Sequence, residues 1–567
     1  MTYSNDTSLI PSIPVSVFVQ RQVATMAFEG AWRATPSIID GLKLVQRRVL
    51  WAMYNIGLNA KSSGKKSATV VGETLGKYHP HGDQAVYQTL VRLAQPWSTR
   101  YPLIEGIGNF GSIAGDEAAA MRYTEAKLTE IGDYMLAGIR EGGFFVDNED
   151  GSTIEPFELR PRLPMLLLLD VSGISHAAQS ASWPSHNIKE VINAVLTILD
   201  TYGKPVTTEQ IMKSIKGPDL PIGGILYRKF KPNDSKSEDA FLYAYEQRED
   251  AETLVHQPFI RLTKGSGGQV LIEILTPPYQ SDVETIRASL ERIQNNPKLP
   301  QWERSAINSV SSFRNSSHKG LFKVEITLKR GAPVKDFLRM LFARRPIRGR
   351  ISVKQVALTS NIHDNYADYA FGRINAPIEY RPEVFTLAEY LHRFATLRMI
   401  DAGIQAASDI RSIMDRLELL KAEYAVASNK RILDAVVKIV KNASSREEAA
   451  EALKKTVKID RKPINDRQAS HILSMSIWRL SRLSVSDMEK GISERERQLS
   501  KATELVLSQR KRIKLIKKEL EEAKQLFGDS RRTLIVNRLP GTIPLLTDDS
   551  DPELVKNVGA STVKMPM

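Results

Sequence analysis

Val71-Gly72-Glu73-Thr74-Leu75-Gly76-Lys77-Tyr78-His79-Pro80-His81-Gly82-Asp83-Gln84-Ala85-Val86-Tyr87-Gln88-Thr89-Leu90-Val91-Arg92-Leu93-Ala94 is the stretch whose reading decides the fold. It carries two apolar faces at helical spacing: Val71 and Leu75 on the first, then Val86, Leu90, Leu93 and Ala94 on the second. Between them His79-Pro80-His81-Gly82 reads as a turn, because proline and glycine both interrupt a helix there. Asp83 is expected to N-cap the second helix. Helix, tight glycine-containing turn, helix is the geometry of a helix-turn-helix. The helical pattern reaches from Asp40 to Gln95, with a further turn at Ser62-Ser63-Gly64.

A glycine-rich loop, Gly106 to Gly115, leads from this unit into Ala118-Ala119-Ala120-Met121-Arg122-Tyr123-Thr124-Glu125. A phenol with a pKa of about 10 is a poor nucleophile at neutral pH unless its anion is favoured. An adjacent guanidinium favours that anion and can hold a phosphate as charge builds on its oxygens. Attack on a phosphodiester would store the bond energy in a phosphotyrosyl link, so resealing the strand would need no ATP. Most Arg-Tyr pairs are plain surface dipeptides, so the reading depends on the surroundings.

Those surroundings are basic. The 567 residues include 79 Lys+Arg against 65 Asp+Glu, a net charge of +14, which points to a polyanion such as nucleic acid as partner. The absence of cysteine excludes disulfides, thiolate zinc sites and cysteine nucleophiles, and suits a reducing compartment. The apolar run Met165 to Val171 is too short to span a membrane and contains Asp170. Met1 to Asp6 lacks a signal-peptide pattern, so a cytoplasmic location is expected.

The length implies several domains in an α+β multidomain chain. An N-terminal arm, 1–32, carries an amphipathic helix from Val17 to Glu29. Alternating runs such as Val270 to Leu275 and Leu321 to Leu328 predict a strand-rich region from Gly217 to Ile351. One long helix is predicted from Phe385 to Ala425 and another from Ser486 to Phe527. The second carries Ile492, Leu499, Val506, Ile513, Leu520 and Phe527 at seven-residue spacing, with Ala502, Ile516 and Ala523 between them, so a coiled coil is expected. Its Arg510-Lys511-Arg512 cluster reads as a solvated face rather than a DNA site. Asp466 to Leu483 reads as a helical knob, with Ile472, Leu473, Ile477, Trp478 and Leu480 available for docking. The tail beyond Arg532 contains Asp548-Asp549-Ser550-Asp551, which is not read as a metal site.

Several of these segments resemble the breakage-reunion subunit of type IIA DNA topoisomerases, of the gyrase A or topoisomerase IV A kind found in bacteria and phages. They include Asp40 to Leu50, Lys65-Lys66-Ser67-Ala68, Gly76 to Asp83, Gly108-Asn109-Phe110-Gly111-Ser112, Ala118 to Glu125 and Ser172-Gly173-Ile174. Trp183 to Asn187, Gly217-Pro218-Asp219, Pro278-Tyr279-Gln280 and Phe527 to Thr533 continue it, so the resemblance covers nearly the whole chain in order. It implies a winged-helix domain with the catalytic tyrosine over 33–165 and a β-rich tower domain over 166–375. A coiled coil with a dimerisation knob would fill 376–535, and a tail 536–567.

The resemblance also implies roles. Tyr123 would be the nucleophile and Arg122 its transition-state partner. Arg33, Lys43, Gln46, Arg47, His79 and His81 would grip DNA around the scissile phosphate, with Lys66 farther along the backbone. A histidine pair at the spacing of His79 and His81 also suits a metal or a plain turn; within this motif phosphate is implied. Ile174 matches an apolar wedge that enters the base stack and bends the duplex. Mg²⁺ and ATP would be held by a separate B-type subunit carrying the Toprim and ATPase domains, in an A₂B₂ assembly built on a homodimer. Departures from the family pattern are Gln46 for the usual histidine and Leu169-Asp170-Val171 for Asn-Gly-Ser. Gln84 and Gln88 stand where quinolone-sensitive relatives carry a serine and an acid, so weak quinolone response is expected. With no β-pinwheel after Thr533, relaxation and decatenation are expected rather than negative supercoiling. The alternative is a non-catalytic dimeric DNA-bending clamp.

Overall fold

The computed structural model describes residues 14–174, 180–230, 238–318, 320–344, 346–365, 368, 378–459, 462–475 and 485–537. It divides into two compact units, one built from the chain before Arg398 and after Ile516, the other from Arg398–Ile516 with Arg140–Gly142. The architecture is mixed α and β with long helices. Among the described residues, no helix is long and apolar enough to cross a membrane.

The first unit opens with α1 (Val15–Ala34), longer at both ends than its apolar pattern suggests, and α2 (Leu44–Asn55). Next come β1 (Lys65–Lys66), α3 (Ser67–Lys77), α4 (Asp83–Ala94), β2 (Ile104–Ile107) and β3 (Glu125–Leu128). Two helices joined by the expected turn are present, with α3 and α4 burying Val70, Val71, Thr74, Val86, Tyr87, Leu90, Val91 and Leu93, while Leu75 and Ala94 are half-buried. Fully burying such aliphatic side chains stabilises by roughly 1.5–3 kcal/mol each. One detail differs: Gly82, not Asp83, is the N-cap. Asp83 lies in the first turn, where a negative charge suits the helix dipole, and its carboxylate accepts the Gln84 N–H at 2.9 Å. The three strands form an antiparallel sheet in the order β1-β3-β2.

The region read as strand-rich is a sheet with helices laid on it. Ile260–Lys264, Val270–Ile274, Val324–Leu328 and Val310–Asn315 pair antiparallel in that order. Three helices that the strand pattern did not anticipate, Val283–Gln294, Gln301–Asn308 and Val334–Ala343, contribute Ile286, Leu290, Ile307, Phe337 and Leu341 to the same core as Ile272, Ile274, Val324 and Ile326.

Thr533–Val536, expected at the start of a tail, is a strand. It pairs parallel with Gly224–Tyr227, at the edge of a sheet that continues through Leu254–Gln257 to Gly349–Ile351. A buried ionic network holds the chain where this strand begins. Arg100 donates to Asp219 at 2.9 and 3.2 Å and to Asp529 at 2.6 Å. The other Asp219 oxygen accepts the N–H groups of Arg532 at 2.8 Å and Thr533 at 2.9 Å.

In the second unit the helices Lys430–Asn442, Arg446–Thr456 and Asp466–Ser474 gather around Ala422, Val426, Val436, Leu453, Val457, Ala469 and Ile472. Ile472, expected on a docking surface, is therefore core; Ile477, Trp478 and Leu480 lie outside the described residues. The long helix Leu387–Ala427 is present. Within this unit its Lys421 pairs with Glu496 at 2.8 Å and its Tyr424 hydroxyl donates to Glu489 at 2.7 Å, so the expected helix partner is found. The second long helix is in fact two, Val485–Leu507 and Gln509–Phe527, broken at Ser508. Arg512, read as part of a solvated face, instead donates to the Leu505 and Val506 carbonyls at 2.7 and 2.8 Å and caps the first of them.

Candidate active site

Arg122 and Tyr123 sit on a turn just before β3, at the end of the long β2–β3 connection. The loop has a defined shape because its backbone is tied at intervals. Gly111, at φ +88°, brings its Cα so near the Asp116 carbonyl that a Cβ would stand 2.6 Å from that oxygen, so only glycine fits. Phe110 bridges Ala118, the Asn109 carbonyl accepts the Ala119 N–H at 3.0 Å, and the Tyr123 N–H closes on the Ala120 carbonyl at 2.8 Å. On the far side, the Ala68 and Ser67 N–H groups at the start of α3 donate to the carbonyls of Met121 (3.2 Å) and Thr124 (2.9 Å).

The turn presents the Arg122 and Tyr123 side chains to solvent. Tyr123 is 65% exposed, unusual for a tyrosine. The Arg122 guanidinium lies 4.6 Å from the centre of the phenol ring, close enough for a cation–π attraction that keeps cation and phenol together. Among the described residues the Tyr123 hydroxyl has no hydrogen-bond partner.

The histidines of the turn between α3 and α4 form a second group. Arg48, buried on α2, donates two bonds to Glu155 at 2.7 and 2.8 Å and lies 3.0 Å from His79 Nδ1. A guanidinium only donates, so His79 Nδ1 must accept and its proton sits on Nε2. Burial first, then the charges of Arg48, His81 and Arg33, push the His79 pKa down to about 4. His79 is thus neutral at pH 7 and offers a single Nε2–H. His81 stacks on it with ring centroids 4.5 Å apart, and its Nδ1 has no partner among the described residues. Sequence reading passes over Arg48, although it stands inside the Asp40 to Leu50 motif. Its signal is only the run Gln46-Arg47-Arg48 on a helix with a buried face.

Lys43 and Gln46 open α2, where the Gln46 side-chain carbonyl accepts the Lys43 N–H at 2.9 Å. Burial, and then Arg92, lower the Lys43 pKa. Lys43 also lies beside the segment bearing Ile174: a Cβ on Gly173 would stand 3.7 Å from Lys43 Cε. Ile174 itself is 79% exposed, far from the core position its apolar character alone suggests. Arg33 is exposed, and its charge reaches His79. Lys66, on β1, pairs with Glu125 at 2.8 Å in a half-open position, an interaction of small energy in water.

Arg47 departs from this pattern. It is buried, with its guanidinium on Asp40 at 2.6 and 3.1 Å and on the Leu42 carbonyl at 3.4 Å. It braces the start of α2 instead of facing solvent.

Asp170, one of the family departures, also has a structural consequence. It adopts φ +58°, a conformation that glycine takes freely and Asp or Asn tolerates. Its carboxylate accepts the Tyr279 hydroxyl at 3.0 Å. Burial raises its pKa to about 6 against the opposing effects of Tyr279 and Arg92. A raised carboxyl pKa means the folded state disfavours the charge. This penalty is absent below pH 4, grows between about 4 and 6, and is complete above 6. Asp170→Asn keeps an acceptor for Tyr279 and tolerates the backbone. It is expected to stabilise the protein by about 2 kcal/mol at pH 7.5, allowing for partial access of water, with no gain at pH 4. Paired denaturant curves at the two pH values check it.

Residues 33–521 match the family model that describes the A subunit of DNA gyrase/topoisomerase IV. The chain is 33% identical over 515 residues to the DNA gyrase A subunit of Aminobacterium colombiense, covering 89% of this chain and 56% of that protein. It is 31% identical over 507 residues to the DNA gyrase A subunit of Thermotoga maritima, covering 89% and 57%. To the A subunit of DNA topoisomerase 4 from Synechocystis sp. it is 32% identical over 518 residues, covering 90% and 51%. The chain thus spans about half the length of the curated relatives it matches. The family model covers well over half of the sequence, so the chain belongs to the family of DNA gyrase/topoisomerase IV A subunits.

Proposed function

We propose that this chain is the DNA-cleaving and religating subunit of an ATP-dependent type II DNA topoisomerase. The observation that carries the reading is the Tyr123 phenol, exposed and without a hydrogen-bond partner among the described residues, on a tethered turn with the Arg122 guanidinium against its ring. In the cleavage step the Tyr123 oxygen, losing its proton, bonds to the scissile phosphorus. The bond from phosphorus to the 3′ oxygen breaks and that oxygen takes up a proton. A 5′-phosphotyrosyl link results, and the reverse attack reseals the strand. Arg122 would neutralise charge on the phosphoryl oxygens.

In this reading the helix-turn-helix with its three-stranded sheet is a winged-helix domain, the strand-and-helix layer is the tower, and the second unit is the coil and dimerisation gate. Arg33, Lys43, Gln46, His79, His81 and Lys66 hold DNA phosphates, His79 as a neutral donor, and Ile174 is the wedge. Arg47 takes part by shaping the start of α2, where Lys43 and Gln46 stand. Among the described residues no three His, Cys, Asp or Glu side chains gather as a metal site. Mg²⁺ and ATP are assigned to a B-type subunit in an A₂B₂ complex acting in the cytoplasm. The expectation of relaxation without supercoiling concerns residues beyond 537, outside those described. Gln84 and Gln88 are both exposed on α4, one turn apart.

The test combines the chain with its B-type partner, ATP, Mg²⁺ and supercoiled or catenated plasmid. ATP-dependent relaxation and decatenation, with protein-linked breaks on SDS treatment, are expected. DNA bending without strand breakage, under conditions where a type II enzyme cleaves, would instead establish the clamp.

A further inference from the structure

Resting on that reading, we propose that Tyr87 of α4 is a positioning residue for Tyr123: its one hydroxyl bridges the two ends of the turn that carries the nucleophile. Tyr87, Ser67 and Thr124 are all buried. The Tyr87 oxygen contacts the Ala119 carbonyl and lies 2.9 Å from Thr124 Oγ1. Thr124 Oγ1 in turn lies 2.8 Å from Ser67 Oγ. A carbonyl only accepts, so the Tyr87 hydroxyl donates to Ala119, while Thr124 Oγ1 donates to Ser67 Oγ. The three hydroxyls form one connected group that reaches the loop backbone at Ala119.

The arrangement acts on Tyr123 from both sides. Ala118-Ala119-Ala120 has no polar side chain with which to tether itself, yet both backbone groups of Ala119 are held, the N–H by Asn109 and the carbonyl by Tyr87. Ala120 then closes the turn on the Tyr123 N–H. Beyond Tyr123, Thr124 is gripped by side chain and by carbonyl, both times by Ser67. The hydroxyl of Tyr87 is the atom common to both ends. It touches neither the phenol nor the guanidinium, so it works through the placement of the turn. A nucleophile must meet phosphorus in line, and a displacement of about 1 Å can cost on the order of a hundredfold in rate.

The experiment measures single-turnover formation of the covalent complex by the full complex on a labelled duplex, beside DNA affinity from a binding titration without strand cleavage. Tyr87→Phe removes one oxygen and keeps the ring. Its expected result is DNA affinity within about twofold of wild type and a cleavage rate lower by roughly tenfold or more, the size a looser turn imposes. Thr124→Val should reproduce the loss, and Thr124→Ser, which restores the hydroxyl, should recover the rate. This pair decides the matter if Tyr87→Phe does not fold. Wild-type cleavage rates in both Tyr87→Phe and Thr124→Val, or equal losses in Thr124→Val and Thr124→Ser, would overturn the proposal. Failure of the wild-type complex itself to form a Tyr123-linked product would overturn the enzymatic reading, a separate outcome.

Discussion

Tyr123→Phe is expected to abolish the covalent DNA complex while leaving the fold and DNA binding intact. The substitution removes one atom, from a side chain that is 65% exposed and whose hydroxyl has no partner among the described residues. Surface changes of this kind stay within about 0.5 kcal/mol in stability. The ring remains, and with it the contact to the Arg122 guanidinium at 4.6 Å. Loss of a covalent nucleophile costs roughly 10⁴-fold or more in rate, so SDS-trapped breaks should fall below detection. The measurement is trapping with the B-type partner and Mg²⁺, wild type against variant, with a filter-binding curve for each. Persistent protein-linked breaks in the variant would place the nucleophile elsewhere. Equal loss of binding would mean that Tyr123 mainly grips DNA.

What the sequence makes legible follows the range of the interactions involved. The α3–α4 unit is written in local spacing, and the structure keeps it with a one-residue shift of the cap, from Asp83 to Gly82. Arg122 and Tyr123 are adjacent, so their pairing needs no fold to be seen. Tyr87 escapes such a reading because nothing in helical spacing says that its hydroxyl will meet the carbonyl of Ala119, 32 residues on. The same holds for Arg48, whose partner Glu155 is 107 positions away, and for Arg47, whose burial on Asp40 is invisible in a run of basic residues. The break at Ser508 is hidden because seven-residue spacing reports which face is buried, not whether the helix is continuous. In this helix pair Ala502, Ile516, Leu520 and Ala523 are buried, whereas Leu507, at the break, is 80% exposed. The strand Thr533–Val536 pairs with Gly224–Tyr227, and no local pattern marks a partner so far upstream.

Asp219→Asn is expected to release that strand. Asp219 is fully buried and serves two sets of donors at once: Oδ2 takes two bonds from Arg100, while Oδ1 takes the N–H groups of Arg532 and Thr533. An asparagine can keep its oxygen toward the two backbone donors, but its NH₂ then faces the Arg100 guanidinium, donor against donor. Turned the other way, it deprives two backbone N–H groups of their acceptor. Either choice strands buried polar groups. Among the described residues, Arg100, whose side chain is wholly buried, then keeps only Asp529 as a counter-charge. Breaking one partner out of a buried ion pair costs roughly 3–5 kcal/mol. Burial alone would raise the Asp219 pKa, but Arg100 and then Arg531 outweigh it and hold it below 3.8. The pair's contribution is therefore complete at neutral pH and fades only as pH falls below about 4 through the depressed folded value. Amide exchange of Leu534 to Val536 provides a local readout in a chain of two units, where one global midpoint is poorly defined. About 3 kcal/mol corresponds to roughly a hundredfold faster exchange at pH 7 if the strand opens with the network. Unchanged exchange would mean that the parallel pairing with Gly224–Tyr227 holds the strand without Asp219. In that case the Gly217-Pro218-Asp219 and Phe527 to Thr533 motifs would owe their place in the fold to backbone pairing rather than to buried charge.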